Sequence, residues 1–140
     1  MTDEHNQKVT NSYIVHYPKH EPRENDPHYK DFEHYRNATK DTAQCFFGVE
    51  RGSDFSECEG QLELHHSHIE FSLQNSVNLA VLEHSYPGVS NPDEVGEWVE
   101  SAQNLMWLCE KHHRGIGGIH HAAYADYEAS KFVDNLITKE

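Results

Sequence analysis

The sequence predicts a small α+β domain in which two short strands are combined with helices. Residues 61–66 (QLELHH) alternate apolar and polar side chains, which is typical of a strand with one buried face. Residues 104–109 (NLMWLC) form a short apolar run that indicates a second strand. Tyr29, Phe32 and Tyr35 recur at three-residue spacing, which predicts an amphipathic helix before the strands.

The N-terminal part of the chain divides into a polar segment and a helix. Residues 1–25 are polar and contain two prolines, so we expect an extended and mobile segment. Asp26 and Pro27 mark a helix start, because aspartate caps helices and proline fits their first position. This helix is expected over about Pro27 to Thr39. Residues 26–140 are expected to form one domain, because 140 residues is an ordinary domain size.

The second half of the chain contains further helix signals. Residues 67–90 show no clean period, so no element is predicted there. Asn91 followed by Pro92 marks another helix start, and apolar residues at helical spacing follow it. A short helix is expected over Glu110–Arg114, because the glycines after it would end it. Residues 122–137 are expected to form the terminal helix.

Charge is the main argument against a nucleic-acid enzyme. The net charge is −13, whereas phosphate affinity usually comes from lysine and arginine. The acids are concentrated in the middle, because residues 41–110 hold thirteen acids and a single base, Arg51. Residues 16–40 and 111–140 hold equal numbers of acids and bases. The flanks could therefore still present positive faces.

The apolar residues and the cysteines indicate the cellular setting. No run approaches the roughly 18 apolar residues of a membrane helix, and residues 1–20 contain no apolar stretch typical of a secretory signal. We therefore expect no membrane association and a cytoplasmic location. The odd number of cysteines, three, argues against a disulfide framework. Metal ligation and inert burial are the two interpretations left open.

Two segments carry a family resemblance. LELHH (62–66) and NLMWLCEKHH (104–113) resemble the two halves of the HNH endonucleases, also called His-Me finger nucleases. The family's second half reads Asn-Leu, two residues, Leu-Cys, two residues, then Cys-His, and this chain departs from it at His112, where cysteine is usual. The resemblance covers roughly residues 45–121. It implies a ββα-metal core, flanked here by N- and C-terminal helices and held by a zinc ion.

The resemblance assigns roles to the histidine pair and to its partners. Phosphodiester cleavage needs an activated water and neutralisation of charge on the phosphate. Imidazole suits both tasks, since its pKa of about 6.5 lies near working pH. Adjacent strand residues point to opposite sides, so His65 and His66 are expected to act differently. The resemblance implies that His65 and His113 are metal ligands, that His66 is the general base, and that Asn104 braces the base or its loop.

A third ligand for this ion is left open between two histidines. His120 follows His113 by seven residues, across a glycine-rich turn that could fold it back onto the metal. His121 is the competitor, and His68 is expected to lie outside the site. The ion itself is expected to be Mg²⁺ or Mn²⁺, with Zn²⁺ and Ni²⁺ as further candidates.

A second metal site is expected to hold the fold together. Many HNH proteins pin their core with zinc, and Cys109 and His112 have the C-x-x-H spacing of one ligand pair. Cys45 and Cys58 would form the other pair, although they are thirteen residues apart. Three cysteines and one histidine are an acceptable tetrahedral zinc set, and such a site would contribute folding energy to a small polar core. The alternative is three buried thiols without metal.

The function that follows from the resemblance is metal-dependent hydrolysis of DNA, leaving 5′-phosphate and 3′-hydroxyl ends. Lys111 and Arg114 are neighbours on a helix surface and are candidate DNA contacts, although solvated charges are an equal alternative. Similar small phage-type nucleases work beside packaging machinery, so a partner protein could deliver the substrate in a bacterial cytoplasm. The rival interpretation is a non-catalytic, zinc-stabilised binding module or nucleic-acid mimic that acts through its acidic surface.

Overall fold

Two antiparallel strands and a series of short helices make up the protein in the computed structural model, which describes residues 1–139. The predicted α+β class is thereby confirmed. The helices are α1 (Tyr29–Thr39), α2 (Phe46–Glu50), α3 (Leu79–Ser85), α4 (Pro92–Val99), α5 (Glu110–His113) and α6 (Tyr124–Ser130). The strands are β1 (Leu62–His66) and β2 (Leu105–Cys109), and short 3₁₀ helices cover Arg23–Asn25 and Phe71–Ser76.

The strand pairing brings the two histidine-bearing segments together. Strand β1 pairs antiparallel with β2, and His66 lies opposite Leu105 while Leu62 lies opposite Cys109. Helix α5 begins directly after β2, at Glu110, and therefore turns back alongside β1. Residues that are almost forty positions apart in sequence thus share one strand–strand–helix unit. Both strands lie within one residue of their predicted bounds.

Two apolar clusters support this unit from different sides. The first contains Phe47, Leu108 and Tyr127 together with two cysteines, Cys45 and Cys109, so α2, β2 and α6 share it. The second, formed by Leu82, Val95, Trp98 and Val99, joins α3 to α4. The second cluster positions the end of α4 near the strand that follows it. The segment from Glu100 to Asn104 connects α4 to β2. Its two ends are therefore fixed, one by the second apolar cluster and the other by the sheet.

Residues 67–90, for which the sequence predicted no element, contain the second 3₁₀ helix and α3. Asn78 caps α3, and its Oδ1 accepts a hydrogen bond from the Val81 backbone N–H at 3.2 Å. Leu82 is the one buried residue of α3, whereas the Val81 side chain is 64% exposed. Residues 79–82 are all apolar although only Leu82 of them is buried, so the unbroken apolar run hides the helical period.

The predicted terminal helix over residues 122–137 was too long, since α6 ends at Ser130. Asn135 has a φ of 54°, the left-handed conformation that interrupts a helix and that asparagine tolerates better than most residues. Phe132 is 76% exposed, so no core contact favours an extension of the helix. The first helix also begins later than predicted, at Tyr29, because Asp26 Oδ1 accepts the His28 N–H in a preceding turn.

The N-terminal residues before Arg23 form no regular element and are largely exposed. Their mobility stays a prediction, as does the assignment of residues 26–140 to one domain. Among the helices of residues 1–139, none is both long and apolar enough to cross a membrane.

Candidate metal centres

The three cysteines and His112 form a cluster that could bind a metal ion. The Nδ1 atom of His112 lies 3.8 Å from Cys45 Sγ, 3.6 Å from Cys58 Sγ and 3.2 Å from Cys109 Sγ. A tetrahedral zinc with ordinary Zn–S and Zn–N bonds places nitrogen and sulfur about 3.6 Å apart. The observed distances bracket that value, and all four donor atoms lie within 4.8 Å of one another. The geometry therefore fits a four-coordinate metal.

Local structure fixes each donor of this cysteine–histidine cluster. Cys109 ends β2 and caps α5, where its Sγ accepts the backbone N–H of His112 at 3.4 Å. Cys45 directly precedes α2, and the ring of Phe47 in that helix stacks on the His112 ring with centroids 3.6 Å apart. Cys58 is brought back by a turn in which Arg51 pairs with Glu57 at 2.9 Å. The thirteen-residue gap between the first two cysteines is thus closed by folding.

The thiols cannot all ionise without a cation. A hydrogen bond from Cys109 lowers the pKa of Cys45 to about 7. Burial raises the pKa of Cys58 to about 11, and the hydrogen bond to Cys45 raises the pKa of Cys109. The thiolate form is therefore favoured at Cys45 and disfavoured at Cys58 and Cys109. Binding of a metal would release the remaining thiol protons, as is usual for thiolate sites.

Three histidines form a second cluster, contributed by β1, by α5 and by the turn after α5. The ring centroids of His65, His113 and His120 lie 4.8 to 5.0 Å apart. Their donor nitrogens lie within 4.8 Å of one another, close enough to share one ion. Burial, reinforced by the neighbouring histidines, lowers the pKa of His65 to about 3, and burial also lowers the pKa of His120. Both rings are neutral at neutral pH and keep a lone pair for a cation.

The glycine-rich turn brings His120, and not His121, into this three-histidine cluster. The His120 backbone N–H donates to the His113 carbonyl at 3.0 Å, and the Ile119 N–H donates to the His112 carbonyl at 2.9 Å. Gly118 lies against the backbone of α5, where a Cβ atom would come within 2.6 Å of the Lys111 carbonyl oxygen. The close approach therefore requires glycine.

Replacing Gly118 with alanine should disturb the three-histidine cluster. The added methyl group must push the turn away from α5, at an expected cost of about 1–3 kcal/mol in folding stability. Because His120 moves with the turn, Mn²⁺ should bind more weakly in a calorimetric titration. Gly88→Ala is the control for a loss of stability alone, since alanine is strained at its φ of 98° but the added methyl group meets no atom within 4 Å. Equal Mn²⁺ affinity in the two variants would contradict the role given to the turn.

A carboxylate orients His113. The Glu63 Oε1 atom accepts a hydrogen bond from His113 Nδ1 at 2.8 Å and another from Arg114 Nε at 3.0 Å. A metal-binding histidine commonly donates its second ring N–H to a carboxylate, which fixes its tautomer. The hydrogen bond from Arg114, followed by that from His113, lowers the pKa of Glu63. Glu63 was not predicted as a site residue, although it shares a strand face with His65 at a spacing of two.

The two predicted DNA-contacting cations occupy different surroundings. Arg114 forms an ion pair with Glu63, so its guanidinium is less available to contact DNA. Lys111 is half-exposed and lines a different cavity, which it shares with Glu110 and Arg114. The structure therefore leaves Lys111 the more available of the two.

His66 lies in the same cavity as the three-histidine cluster. The cavity has a volume of about 270 Å³, and its lining includes His65, His66, His113 and His120. The His66 Nε2 atom lies 2.9 Å from Glu100 Oε2, so the ring donates through Nε2 to this buried carboxylate. Phe32 stacks on the His66 ring with centroids 5.6 Å apart. Within residues 1–139, no hydrogen-bond partner is found for the other ring nitrogen, Nδ1.

Asn104 braces the loop that follows β1. Its side chain is fully buried, and its Oδ1 accepts the backbone N–H groups of His68 and Ile69 at 2.9 and 3.0 Å. Its Nδ2 donates to the carbonyls of Ile69 and Val99 at 2.8 and 2.9 Å. No hydrogen bond joins its side chain to that of His66. His68 itself packs against Tyr86 and Trp98, outside the three-histidine cluster.

No protein-family model, curated protein or solved structure matches this chain. The two clusters and the groups around them are therefore the features that indicate a function. The cysteine–histidine cluster is buried in the first apolar cluster, whereas the three-histidine cluster opens into a cavity. A closed ligand set is typical of a structural metal, and an open one is typical of a catalytic metal.

Proposed function

We propose that the protein is a metal-dependent endonuclease of the HNH (ββα-metal) kind that hydrolyses DNA phosphodiester bonds. The observation that carries this proposal is the shared cavity of His66 and the three-histidine cluster. A base and a set of ion ligands around one open space are the parts that metal-assisted hydrolysis needs. The order of the elements, two antiparallel strands followed by a helix with His113, supports the family assignment.

The three-histidine cluster is the proposed binding site of the catalytic ion. Mg²⁺ or Mn²⁺, or alternatively Zn²⁺ or Ni²⁺, would neutralise charge on the scissile phosphate and on the leaving oxygen when bound. His65 and His120 offer neutral rings, and Glu63 turns His113 so that Nε2 keeps the lone pair. Each protein group is therefore held in the state that a ligand requires.

His66 is the proposed general base, acting through Nδ1. Because Glu100 accepts the Nε2 proton, the lone pair of the neutral ring lies on Nδ1. Nδ1 would take a proton from the attacking water, and the Glu100 carboxylate would stabilise the resulting imidazolium. Stacking on Phe32 limits rotation of the ring. Glu100 is thus a positioning residue, which holds the base in one tautomer and one orientation.

The cysteine–histidine cluster is the proposed zinc site of the fold. Its sulfur-rich donor set suits Zn²⁺, and its nitrogen–sulfur distances fit tetrahedral coordination. The site would tie together α2, the end of β2 and the beginning of α5. A zinc site would accommodate His112 where the HNH family usually has cysteine, because three cysteines and one histidine are also an ordinary zinc ligand set.

The nuclease proposal is tested by plasmid nicking. Wild-type protein with Mg²⁺ or Mn²⁺ should convert supercoiled plasmid to the open form, and excess EDTA should stop the reaction. His113→Ala should lose both nicking and Mn²⁺ binding, because it removes one of the three ligands. The variant should retain one zinc ion per chain, measured by elemental analysis, because His113 is not part of the cysteine–histidine cluster.

Two outcomes would contradict parts of this assignment. If His113→Ala lost its zinc and unfolded, the two clusters would have been interchanged. If folded, zinc-containing wild type failed to nick DNA with either ion, the enzyme proposal would fail. The rival function would then be favoured, a zinc-stabilised binding module that acts through the thirteen acids of residues 41–110.

A further inference from the structure

Arg23 lies in the cavity of the three-histidine cluster, although it precedes the region of family resemblance by more than twenty residues. It is the only lysine or arginine among the described residues that line this cavity. Its 3₁₀ helix, Arg23–Asn25, follows the exposed N-terminal residues and brings the side chain over α1. The cavity therefore contains one permanent positive charge that comes from outside the strand–strand–helix unit.

Packing holds the guanidinium of Arg23 in place, while two of its nitrogens form no hydrogen bond. Its central carbon lies 4.0 Å above the ring of Phe32, a distance typical of a cation–π contact. Its Nη2 atom lies 3.6 Å from Glu100 Oε1, which is an ion pair but too long for a hydrogen bond. Nε and Nη2 form no hydrogen bond with any residue of the described chain. Buried N–H groups without a hydrogen-bond partner destabilise the protein, because they have lost their hydration. A bound ligand that accepts hydrogen bonds from them would remove this cost.

The charges around the cavity show what kind of ligand would satisfy them. Glu70 lines this cavity, and Glu100 lies behind it, against His66. Together the two carboxylates would offset the charge of a bound divalent ion. Arg23 therefore supplies the surplus positive charge of the loaded site. Arg114, the other arginine near the cluster, is already paired with Glu63. A planar guanidinium with free N–H groups matches the oxygens of a phosphate.

We propose that Arg23 is a substrate-binding residue, whose guanidinium binds a backbone phosphate of the nucleic acid beside the three-histidine cluster. The inference rests on the proposed nuclease function and names the group that holds its substrate. The phosphate replaces the long contact to Glu100, which keeps its hydrogen bond to His66. Local attraction at Arg23 allows a protein with a net charge of −13 to retain an anionic substrate. The N-terminal segment is thereby part of the site.

Binding is measured by fluorescence anisotropy with a fluorescein-labelled DNA duplex in the presence of Mn²⁺. Phosphorothioate linkages protect the duplex from hydrolysis, so the readout does not depend on cleavage. Arg23→Gln should raise Kd about tenfold, the equivalent of one charge-assisted hydrogen bond. It should also reduce the slope of log K against log salt by about one, because one phosphate contact is lost. Arg23→Lys should weaken binding less than Arg23→Gln, because lysine keeps the positive charge and loses only the paired N–H donors of the guanidinium.

The matched control is Arg36→Gln, on α1. Arg36 is half-exposed and pairs with Glu33 at 3.6 Å, so it carries the same charge without lining the cavity. Its Kd should stay within about twofold of wild type, in line with exposed charges elsewhere. Equal weakening by Arg23→Gln and Arg36→Gln would overturn the proposal, as would wild-type affinity in Arg23→Gln. Were Arg23→Gln to unfold, Arg23→Lys would decide: wild-type affinity at an unchanged Tm would overturn the proposal.

Nicking assays on the same proteins separate this inference from the proposed function. If wild type and Arg23→Gln nick plasmid at the same rate at subsaturating DNA concentration, the Arg23 proposal fails while the nuclease stands. If wild type binds DNA without nicking it, and Arg23→Gln loses that binding, the nuclease fails while the phosphate contact stands.

Discussion

Replacing Cys109 with serine is expected to abolish cooperative folding. Cys109 is 2% exposed, belongs to the first apolar cluster, and supplies both a sulfur donor and the cap of α5. Structural zinc sites provide roughly 10–16 kcal/mol of apparent binding energy in small domains. A domain of this size has about 5–15 kcal/mol of net stability. Loss of the proposed zinc ion would therefore remove as much free energy as the whole domain has in net stability. Circular dichroism melting and zinc content per chain are the measurements.

Met106→Ala is the control for Cys109→Ser. Met106 lies in the same strand, packs on the same apolar cluster and is not a candidate ligand. Its truncation should cost about 2 kcal/mol through lost packing, yet leave one zinc ion bound per chain. If Cys109→Ser melted within a few degrees of wild type, the cluster would be three buried thiols and a histidine without a structural metal.

Replacing His66 with alanine is expected to lower the rate of plasmid nicking by about 10²- to 10⁴-fold, the usual contribution of general acid–base catalysis. The variant should still bind Mn²⁺ with wild-type affinity, because His66 directs one nitrogen to Glu100 and is not among the three clustered ligands. The decisive observation is this separation of rate from metal affinity. Initial nicking rates and calorimetric Mn²⁺ titrations measure the two quantities.

His84→Ala provides the histidine control for His66→Ala. His84 is exposed on α3 and does not line the cavity, so its removal should leave the nicking rate unchanged. Should His66→Ala nick plasmid at a rate within about threefold of wild type, another group must activate the water. The base assignment would then be wrong, although the ion site could stand.

Sequence patterns predicted those parts of the structure that depend on residues close together along the chain. Alternating apolar and polar residues predicted β1, and an apolar run predicted β2. The C-x-x-H spacing predicted that Cys109 and His112 lie together, and they do. The glycine-rich turn indicated that His120 could return to α5, and the structure places it there. These inferences succeed because a strand, a turn and a short helix have fixed geometries that act over a few residues.

The groups that tune the cavity could not be found in this way. Glu100 reaches His66 across thirty-four residues, and Arg23 reaches Glu100 across seventy-seven. Neither contact follows from a local period, because both depend on how α1 and α4 pack around β1. Long-range packing sets these positions. α3 was missed for a different reason, because the unbroken apolar run of residues 79–82 hides its helical period.

Helix α5 links the two metal clusters through adjacent residues. It has four residues, too few to persist alone, and its conformation is imposed by the Cys109 cap and the packing of His112. The next residue, His113, faces the other cluster, and its carbonyl together with that of His112 anchors the turn bearing His120. If both clusters bind ions, we therefore expect occupancy of one to change the affinity of the other. Thermodynamic reciprocity would make the coupling free energy the same in both directions, so an ion in the proposed structural site would also be an effector of the proposed catalytic site.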